Sequence, residues 1–375
     1  MSAVVDLRKT DDPRDAVHRA VQSLVAGHIV GFPTETVYAA CAHALVGPAV
    51  ERLSPRKSRG TAAHSTLVVK GLHEALDYVP HMDALGQRLA RRCWPGPVTL
   101  AFDINPESGL FSALTKEAQQ ALASDRKLWI RVPAHECIQE ALRLMPAPLI
   151  ARSECRDQPL LTAASLLDGF GNDVELVIDD GECRYGQLAT VVGISKGSWS
   201  VVRPGVVTET MIGRLASEVF LFICTGNTCR SPLAEGLFRK MLADRLKCRE
   251  DELADHGYMV LSAGVSAEPG LPAAPESIGV AARHGVDLRA HESQPVTQRL
   301  LEQADQIFTM TRGHRESVLA VYPHLGDRVE LLARDSSDIP DPIGLGEEEY
   351  EQCRVAIDRN LRVILETLPL PGGKL

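Results

Sequence analysis

Short apolar runs punctuate the amino-terminal half of the chain at 29–32, 66–69, 98–102, 128–132, 174–178 and 190–194, and amphipathic segments separate them. Runs of that length, bounded by turn residues, predict strands, so this half is expected to be a mixed α/β domain. Ser200-Val201-Val202-Arg203-Pro204-Gly205 closes it, because Pro-Gly stops a strand, and 209–215 has the pattern of a short connecting helix. The expected division is a domain over 1–206, a linker over 207–217 and a second domain over 218–375.

The second half has a different rhythm. Val219-Phe220-Leu221-Phe222-Ile223 is apolar at every position, as in a strand buried on both faces of a parallel sheet. Ser231-Pro232 is a helix opening, and Leu233, Leu237 and Met241 with Phe238, Leu242 and Leu246 form a stripe at helical spacing. Strands predicted at 259–263, 306–311 and 329–332 alternate with helices at 275–284, 315–321 and 347–367. That order predicts a doubly wound parallel sheet.

Composition sharpens this picture in three ways. At 375 residues, with 45% hydrophobic and 24% charged positions, there is material for two cores and no disordered bias. A net charge of -9 argues against direct nucleic-acid binding over a broad surface, while a local basic pocket for a small anion stays compatible with it. Nine cysteines without a Cys-x-x-Cys pair, no apolar leader and no span-length apolar run predict a cytoplasmic protein without membrane association.

The chemistry concentrates in Cys224-Thr225-Gly226-Asn227-Thr228-Cys229-Arg230-Ser231. A bare Cys-x5-Arg means little, since about 0.7 such pairs are expected by chance in a chain of this composition. Here it lies between a buried strand and a helix opening, which gathers backbone N–H groups around one point and suits a phosphate dianion. The helix dipole and Arg230 favour the Cys224 thiolate, which is the nucleophile, and the planar fork of Arg230 can hold two phosphoryl oxygens. Asn227 is expected to brace the loop and Ser231 to donate to the sulfur. A carboxylic acid must protonate the leaving atom, and Asp341 in Asp338-Ile339-Pro340-Asp341-Pro342 is a candidate, although these residues also read as a rigid turn.

These residues resemble the low-molecular-weight protein-tyrosine-phosphatase family over about 219–368, with Ser262-Ala263-Gly264, Met310-Thr311 and Asp341-Pro342 in agreement. The resemblance implies Cys224, Arg230 and Asp341 as the catalytic set, Thr225 to Cys229 and Ser231 as the phosphate loop, no cofactor or metal, and a phosphorylated protein as substrate. It also implies that Cys229 can pair with Cys224 on oxidation; packing beneath the loop is the other reading of Cys229. Thr228 resembles the protein-arginine-phosphatase branch and favours phosphoarginine. Ile343, where the family has an aromatic residue, keeps phosphotyrosine open. The thioredoxin-coupled arsenate reductases share the loop but add cysteines that 292–310 lacks.

In the first half, Gly31-Phe32-Pro33-Thr34-Glu35-Thr36-Val37-Tyr38 is a strand end with an oxygen-rich turn, and Lys57-Ser58-Arg59 follows in a basic Gly/Ser/Thr-rich stretch. Both suit a small charged ligand, and both also read as a turn plus a solvated charge cluster. Together with Trp94-Pro95-Gly96-Pro97-Val98-Thr99-Leu100, Arg131-Val132-Pro133 and Arg203-Pro204-Gly205, they resemble the threonylcarbamoyl-AMP synthase (YrdC-type) family over about 14–206. The resemblance implies L-threonine, bicarbonate and ATP as substrates, with the product used in tRNA modification. Thr34 and Arg131 would hold threonine, while Lys57, Arg59, Thr99, Ser153 and Arg203 would face ATP. The family's Ser-Ala-Asn is Ser153-Glu154-Cys155 here and its Ser-Thr-Val is Ala189-Thr190-Val191. Gly60 and Val69 replace a proline and a histidine. These changes remove polar ligand contacts and add Glu154 near a triphosphate, so the adenylate-forming activity is either retained or lost.

Overall fold

The computed structural model describes residues 2–54, 64–123, 126–155 and 158–368 and divides into two compact units, Met1–Leu215 and Ala216–Leu375. Among the described residues no helix is long and apolar enough to cross a membrane.

In the first unit, strands β1 (Ala3–Asp6), β2 (Ile29–Phe32), β3 (Ala39–His43), β4 (Thr66–Val68), β5 (Val98–Asp103), β6 (Lys127–Arg131), β7 (Leu149–Arg152), β10 (Val174–Asp179), β11 (Thr190–Ser195) and β12 (Ser198–Arg203) form one sheet. A separate two-stranded ribbon joins β8 (Glu154–Cys155) to β9 (Gln158–Pro159). The order in the large sheet, β1-β10-β2-β3-β7-β4-β6-β5-β11-β12, mixes parallel and antiparallel pairs. Helices Pro13–Val25 and Glu136–Leu144 bury Ala16, Ala20, Leu24, Ile138 and Leu142 against Val30, Phe32, Leu149 and Ile178. Asp12 opens the first of these helices by accepting the Arg14 N–H at 2.9 Å, with Pro13 at the position where a missing N–H does no harm.

The second unit is a four-stranded parallel sheet in the order β14-β13-β15-β16, with β13 at Glu218–Cys224, β14 at Tyr258–Gly264, β15 at Gln306–Thr309 and β16 at Val329–Leu331. Alternation along β13 explains its unbroken apolar run. Phe220, Phe222 and Cys224 face a core with Phe238, Phe308, Ile357 and Leu361, whereas Val219, Leu221 and Ile223 face a second core with Leu301, Ile307 and Val318. At about 1.5–3 kcal/mol for each fully buried large side chain, the two layers pin the end of β13 firmly. Helices Arg230–Leu246 and Glu347–Thr367 cover the first face.

One expected boundary is corrected. β15 ends at Thr309, not 311, because the Thr311 hydroxyl accepts the His314 N–H at 3.2 Å and starts a helix at Arg312, three residues before the expected 315.

Candidate functional sites

The loop between β13 and the helix Arg230–Leu246 is held from outside by its carbonyls. Those of Cys224 and Thr225 accept the N–H groups of Val265 and Ser266, both at 2.9 Å, and that of Thr228 accepts the Ala274 N–H at 2.8 Å. The Asn227 carbonyl lies 2.7 Å from His291 Nε2. In a trans peptide the next N–H points opposite to the carbonyl, so tethering these oxygens outward turns the following amides toward the loop interior. The Asn227 N–H reaches Cys224 Sγ at 3.3 Å.

Asn227 occupies the left-handed region, with φ of 55°, a conformation that asparagine tolerates better than most residues. Its buried amide donates to Ser231 Oγ at 3.0 Å and Ser262 Oγ at 2.8 Å, while its Oδ1 accepts the Gln294 N–H at 2.9 Å. Ser231 Oγ lies 2.9 Å from Cys224 Sγ, and either group can donate. Ser262 donates in turn to Glu235 at 2.6 Å, a carboxyl whose pKa burial raises. The sulfur is thus buried at a strand end, with hydrogen-bonding groups fixed around it.

Arg230, buried at the helix start, reaches the mouth of the loop. Its Nη2 donates to Asp341 Oδ2 at 2.5 Å and Thr225 Oγ1 at 3.4 Å, and its Nη1 to the Ile339 carbonyl at 3.4 Å. The Asp341 side chain is 43% exposed against 5% for Arg230, so the acid stands at the solvent edge and serves as counter-ion to a buried cation. Ile343, 65% exposed, donates its N–H to Asp341 Oδ1 at 3.2 Å. Thr228 is half-buried, 3.7 Å from Cys229 Sγ, and Cys229 packs against Tyr350, whose hydroxyl lies 3.4 Å from its sulfur. Both thiols are free.

His314 is a site residue that sequence reasoning missed. Its Nε2 lies 2.9 Å from Thr225 Oγ1 and its Nδ1 2.9 Å from Thr311 Oγ1, and burial, reinforced by Arg230, lowers its pKa. The Thr-x-x-His spacing of a capped helix start was its one local signal.

The first unit holds a cleft open to solvent. Thr34, Thr99, Arg131, Ser153 and Arg203 all line it, together with His64, Trp129, Arg152 and Glu154. Lys57 and Arg59 lie outside the described residues. Several lining groups already have partners. The Thr34 hydroxyl donates to the Val37 carbonyl at 2.6 Å; Arg131 Nη2 donates to Glu35 and Thr36, each at 2.8 Å; and Arg203 Nη1 donates to Glu154 at 2.6 Å. Burial lowers the pKa of both Arg152 and Arg203. Val69 is buried, its N–H bonded to the Arg131 carbonyl, and Thr190 ties down Val207.

A parallel sheet whose first strand runs into an amide-lined cysteine loop, closed by an arginine at a helix start, defines the class of cysteine-nucleophile phosphatases. Residues 219–370 match the family model described as "Low molecular weight phosphotyrosine protein phosphatase", and the chain is 34% identical to a protein-arginine-phosphatase of Bacillus subtilis over 152 residues, 40% of this chain and 95% of that protein. The chain belongs to this family through its second unit. Ahead of it, residues 22–205 match the Sua5/YciO/YrdC model, described as "Telomere recombination", so the protein is a fusion of the two.

The first half is 29% identical to a threonylcarbamoyl-AMP synthase of Pyrococcus abyssi over 195 residues, 52% of this chain, and spans 55% of that protein's length. A solved Sua5 variant from P. abyssi is similar in fold, with 21% identity, a TM-score of 0.50 and coverage of 71% of this chain and 92% of its own.

Proposed function

We propose that the second unit hydrolyses phosphorylated side chains of proteins through a phosphocysteine. The observation that carries the reading is the sulfur of Cys224, buried within reach of the Asn227 amide and Ser231, with Arg230 and Asp341 at the mouth above it. Cys224 Sγ attacks phosphorus while Arg230 and the loop amides from Thr225 to Cys229 hold the equatorial oxygens. The phosphoryl group takes over the Arg230 fork; Asp341, released from that ion pair, takes up a proton from solvent and passes it to the leaving oxygen or nitrogen as its bond to phosphorus breaks. Water then attacks phosphocysteine, Asp341 accepts its proton, and phosphate departs with the Cys224 thiolate restored. No cofactor takes part in these steps.

Thr228 and the similarity to a protein-arginine-phosphatase support phosphoarginine, whose planar guanidinium a threonine hydroxyl at the rim can meet. Hydrolysis of an aryl phosphate should vanish in Cys224→Ser, and Asp341→Asn should lower kcat by about 10²–10⁴. Full activity in Cys224→Ser would sink the nucleophile assignment. Comparing phosphoarginine with phosphotyrosine peptides tests the substrate preference.

For the first unit, the cleft with Thr34, Thr99, Arg131, Ser153 and Arg203 on its wall supports a ligand site of the threonylcarbamoyl-AMP synthase kind. Pyrophosphate release that requires threonine, bicarbonate and ATP together is the test. Its absence from a folded protein would show that the site has lost that reaction. The domain assignment that follows is a synthase-like 1–206 and a phosphatase 218–375 in one cytoplasmic chain.

A further inference from the structure

Among the described residues three guanidinium groups line the cleft of the first unit, and each is held differently. Arg131 is buried against Glu35, whose second oxygen accepts the Ala134 N–H at 2.9 Å. Arg203 faces Glu154 at 2.6 Å, its guanidinium 5.5 Å from the centre of the Trp129 ring. Arg152 lies 5.4 Å from the Phe170 ring centre and donates to the carbonyls of Leu53 and Glu154; among the described residues it has no carboxylate at ion-pair distance. Among the described residues the Nε atoms of Arg152 and Arg203 have no hydrogen-bond partner.

We infer that Glu154 is an internal counter-anion that competes with polyphosphate for Arg203 and so sets the charge of ligand the cleft accepts. The ribbon β8–β9 fixes this arrangement, because pairing Glu154 with Pro159 and Cys155 with Gln158 holds the backbone at the carboxylate. A triphosphate arriving at Arg203 must displace a carboxylate that is three-quarters buried and leave it close to its own negative charges. With Arg131 and Arg203 both matched, the charge left over among these groups is that of Arg152. On this described wall, Glu154 therefore favours a ligand of low negative charge over a polyanion. This inference rests on the reading of the cleft as a ligand site, whichever reaction occurs there.

Calorimetric titration of the full chain with inorganic tripolyphosphate tests it. Glu154→Gln keeps the length and hydrogen-bonding capacity of the side chain while removing its charge, and should bind tripolyphosphate at least tenfold more tightly than the unsubstituted protein. Glu154→Ala supplies the same comparison if the glutamine variant melts early. Affinities within twofold of each other, or no binding to any variant, would overturn the proposal. A parallel titration with ATP separates the two readings. Tripolyphosphate binding that tightens while ATP binds no variant supports the role of Glu154 and removes ATP as the ligand.

Discussion

Gly264, at the end of β14, has no φ that demands glycine; its constraint is space. It sits in register beside Cys224, and a Cβ there would lie 2.4 Å from the Thr225 carbonyl oxygen, 2.8 Å from the Asn227 nitrogen and 2.9 Å from Ala267 Cβ. Ordinary contact begins near 3.4 Å. Gly264→Ala therefore forces the Thr225 carbonyl back by about 1 Å in a close-packed interior that yields little. That carbonyl is also held by Ser266 N–H at 2.9 Å, so the loop cannot slide freely and its amides must tilt. Overpacking of this kind destabilises by about 1–3 kcal/mol, and a 1 Å misplacement of groups around a reacting atom lowers the rate about 10²-fold. Steady-state hydrolysis of an aryl phosphate, read beside thermal unfolding, should show a fall in kcat/KM larger than the lost stability explains at the assay temperature. A folded Gly264→Ala protein working at the unsubstituted rate would refute the claim that β14 sets the shape of the phosphate loop.

Asn227→Ala removes three side-chain hydrogen bonds and leaves alanine in the left-handed region, a loss of about 2–4 kcal/mol measurable by denaturant unfolding. Asn227→Gly should recover part of that loss by relieving the backbone. For His314, burial and Arg230 place the folded-state pKa below the ordinary imidazole value of about 6.5, so the proton binds more readily to the unfolded chain. The stabilisation from the neutral ring is then complete above that value and lost as pH falls toward the depressed one. His314→Asn should flatten this acid-side loss in unfolding experiments across pH 7 to 5; an unchanged slope would count against the assignment.

Much of the fold was legible because it is written in short-range pattern. The run at β13 is apolar at every position because cores lie on both its sides, and Ser231-Pro232 marks a helix start with no help from distant residues. β3 escaped notice because Ala39-Ala40-Cys41-Ala42-His43 carries none of the β-branched or aromatic side chains that signal a strand; its neighbours β2 and β7 make it one. β1 and β7 are only four residues long, and β12 alternates exposed and half-buried positions, so each gives a weak periodic signal. In the phosphate site the loop itself was readable, but the roles of His291, Gln294 and His314 depend on contacts across 64, 67 and 89 residues that no local pattern encodes. The closure of Glu154 on Arg203 is of the same kind: the sequence placed a carboxylate near the site, and only the fold pairs it with a particular guanidinium.

The pairing of Arg230 with Asp341 means that the phosphatase loop is never an empty cationic trap. An anion from the surrounding fluid gains only the difference between its own attraction and that of a carboxylate tethered in place. Chloride, nitrate or a free carboxylate, each bearing one charge, offers little over the resident group, whereas a phosphoryl dianion brings twice the charge and more oxygens to the surrounding amides. The site should work undisturbed in monovalent salt and yield to sulfate, vanadate or accumulated phosphate, so that the product of the reaction becomes its natural brake.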